Sequence, residues 1–122
     1  MTSDRIALDG ALVMAPRDGR IDLSNADGFK DDLLAALSDA SKLLIVDLSR
    51  VAYISSAGLR SLMIALKAAR AEDKTFAIAA LQPLTREIFA ISRFDIVFSL
   101  FESVREAVAA LAPDAVAEFD AL

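Results

Sequence analysis

Asp47-Leu48-Ser49-Arg50-Val51-Ala52-Tyr53-Ile54-Ser55-Ser56-Ala57-Gly58-Leu59-Arg60 is the stretch on which the fold turns. It follows Leu43-Leu44-Ile45-Val46, a run too short for a helix and continuous in apolarity, which reads as a central strand buried on both faces. The two serines then precede a helix expected over residues 57–71. A hydroxyl, assigned to Ser56, stands at that helix start, where free N–H groups and the positive end of the helix dipole favour anions. Its plainest role is to cap the helix through the N–H groups of Gly58 or Leu59; the alternative is to carry a phosphate. Two features favour the second. The first turn contains no acid, its fourth residue being Arg60, and Gly58 leaves room for another chain to approach.

Around this segment the pattern alternates. Residues 6–8 and 11–15 are apolar runs separated by Asp9-Gly10, a hairpin signal. Ser24-Asn25-Ala26-Asp27 fits a capping box and opens a helix to about residue 40, with Phe29, Leu33, Leu34 and Leu37 on one stripe. A strand is expected over 74–80. A helix starting at Pro83 runs to about 92 with Leu84, Ile88 and Ile91 inward, and a short strand follows at 96–98. Ser99-Leu100-Phe101-Glu102 reads as a second capping box for a helix to about 111. The order β-β-α-β-α-β-α-β-α predicts an α/β domain over residues 1–112: a mixed sheet, antiparallel at its N-terminal hairpin and parallel elsewhere, with about four helices packed on it. Residues 113–122 form a tail, either a helical turn or disordered.

The helix after the serines carries Leu59, Leu62, Met63, Leu66 and the Arg70 stem on one side at 100° per residue. Ala57, Ser61, Ile64 and Ala68 fall opposite, with Arg60 and Lys67 beside Ile64. A smooth outer face with one branched apolar knob suits docking of a partner, although isolated surface apolar residues are common.

Composition narrows the function. The 122 residues suffice for one domain with one core. The net charge of −5, without any basic run, argues against nucleic-acid binding. With no Cys and no His, the chain cannot supply thiolate or serine–histidine catalysis, nor a zinc site built on such ligands. No cofactor or metal is expected, and enzyme activity is not. Uninterrupted apolar runs reach six residues, as at 76–81, against about 18 for a membrane span. The segment Met1-Thr2-Ser3-Asp4-Arg5 lacks a signal-peptide pattern, so a cytoplasmic location without membrane contact is expected.

The pattern Asp47-x5-Tyr53-Ile54-Ser55-Ser56-Ala57-Gly58-Leu59 resembles the signature of the STAS domain, specifically that of bacterial anti-sigma factor antagonists. Gly19-Arg20-Ile21-Asp22-x2-Asn25-Ala26 resembles the other marker of that family, and the similarity spans about residues 5–111 in element order. The resemblance implies a module that binds an anti-sigma factor with serine kinase activity in a partner-switching pathway controlling transcription. The kinase would phosphorylate Ser56, with Ser55 as a competing acceptor, and a PP2C-type phosphatase would restore the complex. Where many members have Asp before and Ser or Thr after the acceptor, this chain has Ser55 and Ala57. The residues expected to meet the partner are Asp22, Ser24, Asn25, Ser55, Ala57, Gly58, Arg60, Ser61 and Ile64. A weak homodimer through the hairpin edge or the Ile64 face is a further expectation. The alternative is a STAS scaffold subunit of a larger signalling or lipid-transport assembly without a phosphorylation cycle.

Overall fold

The apolar run at residues 43–47 forms the centre of the domain because both of its faces have somewhere to go. In the computed structural model, which describes residues 2–122, strand β4 (Leu43–Asp47) sends Leu44 and Val46 to one side and Leu43 and Ile45 to the other, all buried. The hairpin β1 (Ser3–Leu8) and β2 (Ala11–Pro16) turns at Asp9-Gly10, with Gly10 at φ 77°, a conformation that costs glycine little. β2 runs parallel to β4. β6 (Thr75–Ala79) and β7 (Ser99–Phe101) extend the sheet in parallel, giving the order β1-β2-β4-β6-β7. The expected mixed sheet is therefore present, antiparallel at the hairpin and parallel elsewhere.

A feature absent from the sequence reading lies above this sheet. β3 (Arg20–Ile21) and β5 (Tyr53–Ile54) pair in parallel as a separate two-stranded sheet. Helices α1 (Ala26–Asp39), α2 (Ser56–Ala71) and α3 (Pro83–Ile91) cover one face of the main sheet, where Phe29, Leu33, Leu62, Leu66 and Phe89 pack on Leu44, Val46, Phe76 and Ile78. α5 (Val104–Leu111) covers the other, with Ala107 and Val108 against Val13, Ile45 and Ala77. The structure has six α-helices among the described residues, against the four expected.

The extra helices arise from packing that local pattern does not encode. Residues 96–98 are not a strand. They lie in and just after a short helix α4 (Phe94–Val97), because Phe94 and Phe98, one turn apart, both pack with Phe89 and with each other at ring-centroid separations of 5.7–6.4 Å. The strand is thereby displaced to β7. The capping box moves with it: Ser103, not Ser99, accepts a hydrogen bond from the Glu106 N–H at 3.1 Å, while Glu102 pairs with Arg86. In α3 the core positions belong to Thr85 and Phe89. Leu84 is exposed, Ile91 is 83% exposed, and Ile88 is half-buried.

The tail is helical. A 3-10 turn at Pro113–Ala115 leads into α6 (Val116–Asp120), whose Phe119 packs with Ala115 and Val116 on the α5 side of the sheet. The Glu118 carboxylate accepts the Asp9 N–H at 2.7 Å, and Arg105 pairs with Asp120. No helix among the described residues is long and apolar enough to cross a membrane.

At the carboxyl end of β4, one carboxylate ties three segments. Asp4 accepts hydrogen bonds from Arg17, after β2, and from Arg50, between β4 and β5, the latter at 2.6 Å. These bonds, Arg17 first, hold the Asp4 carboxyl well below the usual carboxylate range. A group depressed in the folded state contributes stability above its unfolded value, about 3.9, and loses it as pH falls toward the folded one. Asp4→Asn is thus expected to lower stability at pH 7 slightly, with the gap to the parent narrowing below about pH 4. Denaturant unfolding at pH 7 and pH 3 checks this; a gap that widens in acid contradicts it.

Candidate functional site

The start of α2 is positioned by the small β3–β5 sheet. Ile21 and Ile54 are paired across it and fully buried under the helix. Gly58 sits on them so closely that a Cβ would stand 2.6 Å from Ile54 Cγ1 and 2.8 Å from Ile21 Cγ2. The expectation from sequence that Gly58 leaves room for another chain is therefore overturned: its own chain fills that space, and Gly58 is buried. Two backbone bonds extend the pairing, Ala52 N–H to Gly19 O and Ser55 N–H to Ile21 O, each 2.8 Å. They bring the Arg20–Asn25 loop beside the helix start.

The two serines divide the labour differently from the sequence reading. Ser55, with extended backbone, is the N-cap, and its Oγ accepts the Gly58 N–H at 3.5 Å. Ser56 is the first helical residue, exposed, and its hydroxyl makes no hydrogen bond among the described residues. A side chain at that position points away from the helix N–H groups that a preceding residue can reach, so the cap falls to Ser55.

The neighbouring loop is built from polar side chains that hold one another. Ser24 does not cap α1; its hydroxyl donates to Asp22 Oδ1 at 2.5 Å, and its N–H to the same oxygen at 3.0 Å. Asn25 precedes α1 without a side-chain cap; its Oδ1 accepts the Asp22 N–H at 2.9 Å and its Nδ2 donates to Arg20 O at 2.8 Å. The Ser24–Asp27 capping box is thus replaced by a braced turn: α1 begins at Ala26 with Asn25 at the N-cap position, so Ser24 lies one residue too early to cap it and its hydroxyl turns to Asp22. The hydrogen bonds from Ser24, and then the Arg20 charge 3.7 Å away, lower the Asp22 pKa and keep it anionic. Arg20 also lies over the Tyr53 ring, 4.5 Å from its centroid.

Between α1 and α2 a groove of ≈ 420 Å³ opens beside Ser56. Its apolar parts are Leu23, Ala57 and Ile64; Lys30, Arg60 and Asp27 supply charge. Ala57, Arg60 and Ile64 line it, Ile64 being 38% exposed. Ser61 also touches it but is buried, donating to Ala26 O at 2.9 Å and Ala57 O at 3.2 Å; it joins the two helices rather than facing solvent. The sequence reading missed Leu23, which is 86% exposed at the groove's edge. A large apolar residue between two turn formers, Asp22 and Ser24, was its only signal.

The Ser56 hydroxyl makes no hydrogen bond to a base, and no cluster of side chains that could hold a metal ion occurs among the described residues. The family model described as Mlab, STAS domain, matches residues 18–113. The chain belongs to the STAS-domain family of anti-sigma factor antagonists. This STAS domain is 36% identical over 110 residues to Bordetella bronchiseptica BtrV, which carries the name of an anti-sigma factor antagonist, with 90% of this chain and 91% of the relative covered. It superposes with a TM-score of 0.81 and 26% identity on an anti-sigma factor antagonist from Mycobacterium paratuberculosis, covering 90% of this chain and 92% of that one. The unphosphorylated Bacillus antagonist SpoIIAA shares the fold at 14% identity, with a TM-score of 0.73 over 90% of this chain and 96% of its own. Antagonists of this family are binding proteins rather than enzymes, and their partner is an anti-sigma factor.

Removing the STAS domain's cap and its acceptor candidate should separate them. Ser55→Ala is expected to lower stability by about 0.5–1 kcal/mol, the low end for a lost cap because the bond is long, whereas Ser56→Ala should leave it unchanged. Gly58→Ala should cost about 1–2 kcal/mol, overpacking against Ile21 and Ile54 outweighing the gain in helix propensity. Urea unfolding of the three variants measures all three effects. Equal losses in Ser55→Ala and Ser56→Ala contradict the division of roles.

Proposed function

We propose that this chain is a phosphorylation-switched antagonist: it sequesters an anti-sigma factor that has serine kinase activity, is released when that kinase phosphorylates Ser56, and is restored by a PP2C-type phosphatase. The observation that carries the proposal is the exposed, uncommitted Ser56 hydroxyl beside a groove, next to a Ser55 hydroxyl occupied in capping. Antagonist relatives support the partner class, and SpoIIAA is known in both unphosphorylated and phosphorylated forms.

In the unmodified state the partner covers the groove. Leu23 and Ile64, which line the groove with Ser56, act as apolar anchors, and Arg60 and Lys30 set the charge of the rim. Asp22, braced by Ser24 and Asn25, gives the adjoining loop a fixed shape and a negative charge. Ser56 phosphorylation adds about −1.5 to −2 charges. At the start of a helix without an acid in its first turn, the phosphate is locally favourable by about 0.3–1 kcal/mol, so the domain stays folded. The cost falls on the interface, where burying an uncompensated charge of this size takes several kcal/mol. A loss of about 4 kcal/mol is roughly a thousandfold in affinity.

Calorimetry with an anti-sigma factor kinase tests the switch. Ser56→Glu is expected to weaken binding at least about tenfold, a carboxylate being a partial substitute for phosphate, while keeping its circular dichroism and unfolding midpoint. Ile64→Asp should weaken it comparably by charging an apolar anchor. Binding that is equally tight with Ser56→Glu overturns the switch and favours a scaffold without a phosphorylation cycle. Loss of the fold in Ser56→Glu would overturn the interface explanation.

A further inference from the structure

A second concavity lies apart from the Ser56 groove, where the chain changes sides of the sheet. The connections through α1, α2 and α3 all lie on one face. The helix that follows β7, α5, lies on the other. The crevice outside the carboxyl ends of adjacent strands whose following helices diverge in this way is the general place for ligands in open α/β sheets. Here those strands are β6 and β7, and the crevice between them, ≈ 350 Å³, falls within the size range of binding sites.

Its lining has a definite chemistry. Leu81, Leu100 and Phe101 make an apolar floor. Around it stand three carboxylates, Asp95, Glu102 and Glu106, against one guanidinium, Arg86. Arg86 is already spent: its two terminal nitrogens donate to the two Glu102 oxygens at 3.1 and 2.9 Å. Asp95 and Glu106 have no ion-pair partner among the described residues, and no side-chain hydrogen bond there satisfies their carboxylates. The pocket therefore presents two uncompensated negative charges over an apolar floor. That arrangement repels anions, and it suits a cation carried on an apolar stem better than a bare metal ion, whose ligands would have to converge.

We infer that this crevice is a second docking site, which takes a Lys or Arg side chain presented by a partner polypeptide. A polypeptide, rather than a free small cation, accounts for the surroundings. Ile96, which follows Asp95 on α4, and Ile91, at the end of α3, are both exposed outside the pocket lining, and a polypeptide reaching past the pocket would cover apolar surface of this kind where a small cation would not. The site uses none of the residues around Ser56, so its failure and the failure of the phosphorylation switch are separate results.

The test is amide-resolved NMR titration of the whole chain with three probes: the peptide acetyl-Leu-Arg-Leu-Lys-amide, its counterpart with Glu in place of the basic residues, and agmatine. The basic peptide is expected to produce saturable shifts at residues 95–106, weaker at higher salt, and none at 55–64. The Asp95→Asn/Glu106→Gln double variant should bind it about fivefold more weakly while its remaining amide signals stay in place. Absence of saturable shifts, equal binding by the double variant, or equal binding of the acidic peptide each overturns the site. Agmatine binding as tightly as the peptide overturns the polypeptide occupant.

Discussion

The seat of Gly58 on Ile21 and Ile54 is the contact on which the rest of the site depends. No other residue fits there without displacing two buried isoleucines. With α2 seated this low, Ser55 caps the helix, Ser56 stands free on its first turn, and Ser61 reaches Ala26 O on α1. The same contact explains the otherwise very short β3 and β5. Neither strand could persist alone in water, but together they form a platform whose two isoleucines are covered by the helix and whose Arg20 and Tyr53 stack on its outer surface.

Much of this was legible in the sequence, for identifiable reasons. The run at residues 43–46 had only one stable placement, and strands alternating with single helices imposed parallel pairing. The 47–60 stretch carried the family resemblance and the start of α2, but not the seat of Gly58 on its own chain or the capping by Ser55. What failed were inferences in which local chemistry had a rival. Two Ser-x-x-Glu patterns occur within a few residues, at 99–102 and 103–106, and each is an equally good cap on paper. The choice was made by Phe94 and Phe98 winding into the aromatic cluster around Phe89, a tertiary contact with no local signature. Ser24 likewise lies one residue too early to cap α1, and its hydroxyl turns to Asp22.

Placing residues around a helix assumes one buried side. α2 has two, since it packs on the sheet and also against α1, so Ser61 is buried on the side that looked solvent-facing. α3 shows the converse. Its most regular apolar stripe, Leu84, Ile88 and Ile91, is largely outside, because Phe89 fills the core from a different angle. Exposed apolar residues outside any periodic pattern, Leu23 above all, are invisible to such reasoning.

The division between the adjacent serines is the central claim: one hydroxyl is committed to the fold and the other is free for chemistry. Incubation with an anti-sigma factor kinase and ATP, followed by peptide fragmentation mass spectrometry that resolves Ser55 from Ser56, tests it most directly. A single phosphate on Ser56, with Ser55 unmodified, is the expected result. Phosphate on Ser55, or no phosphate on a chain that the kinase demonstrably binds, would contradict it.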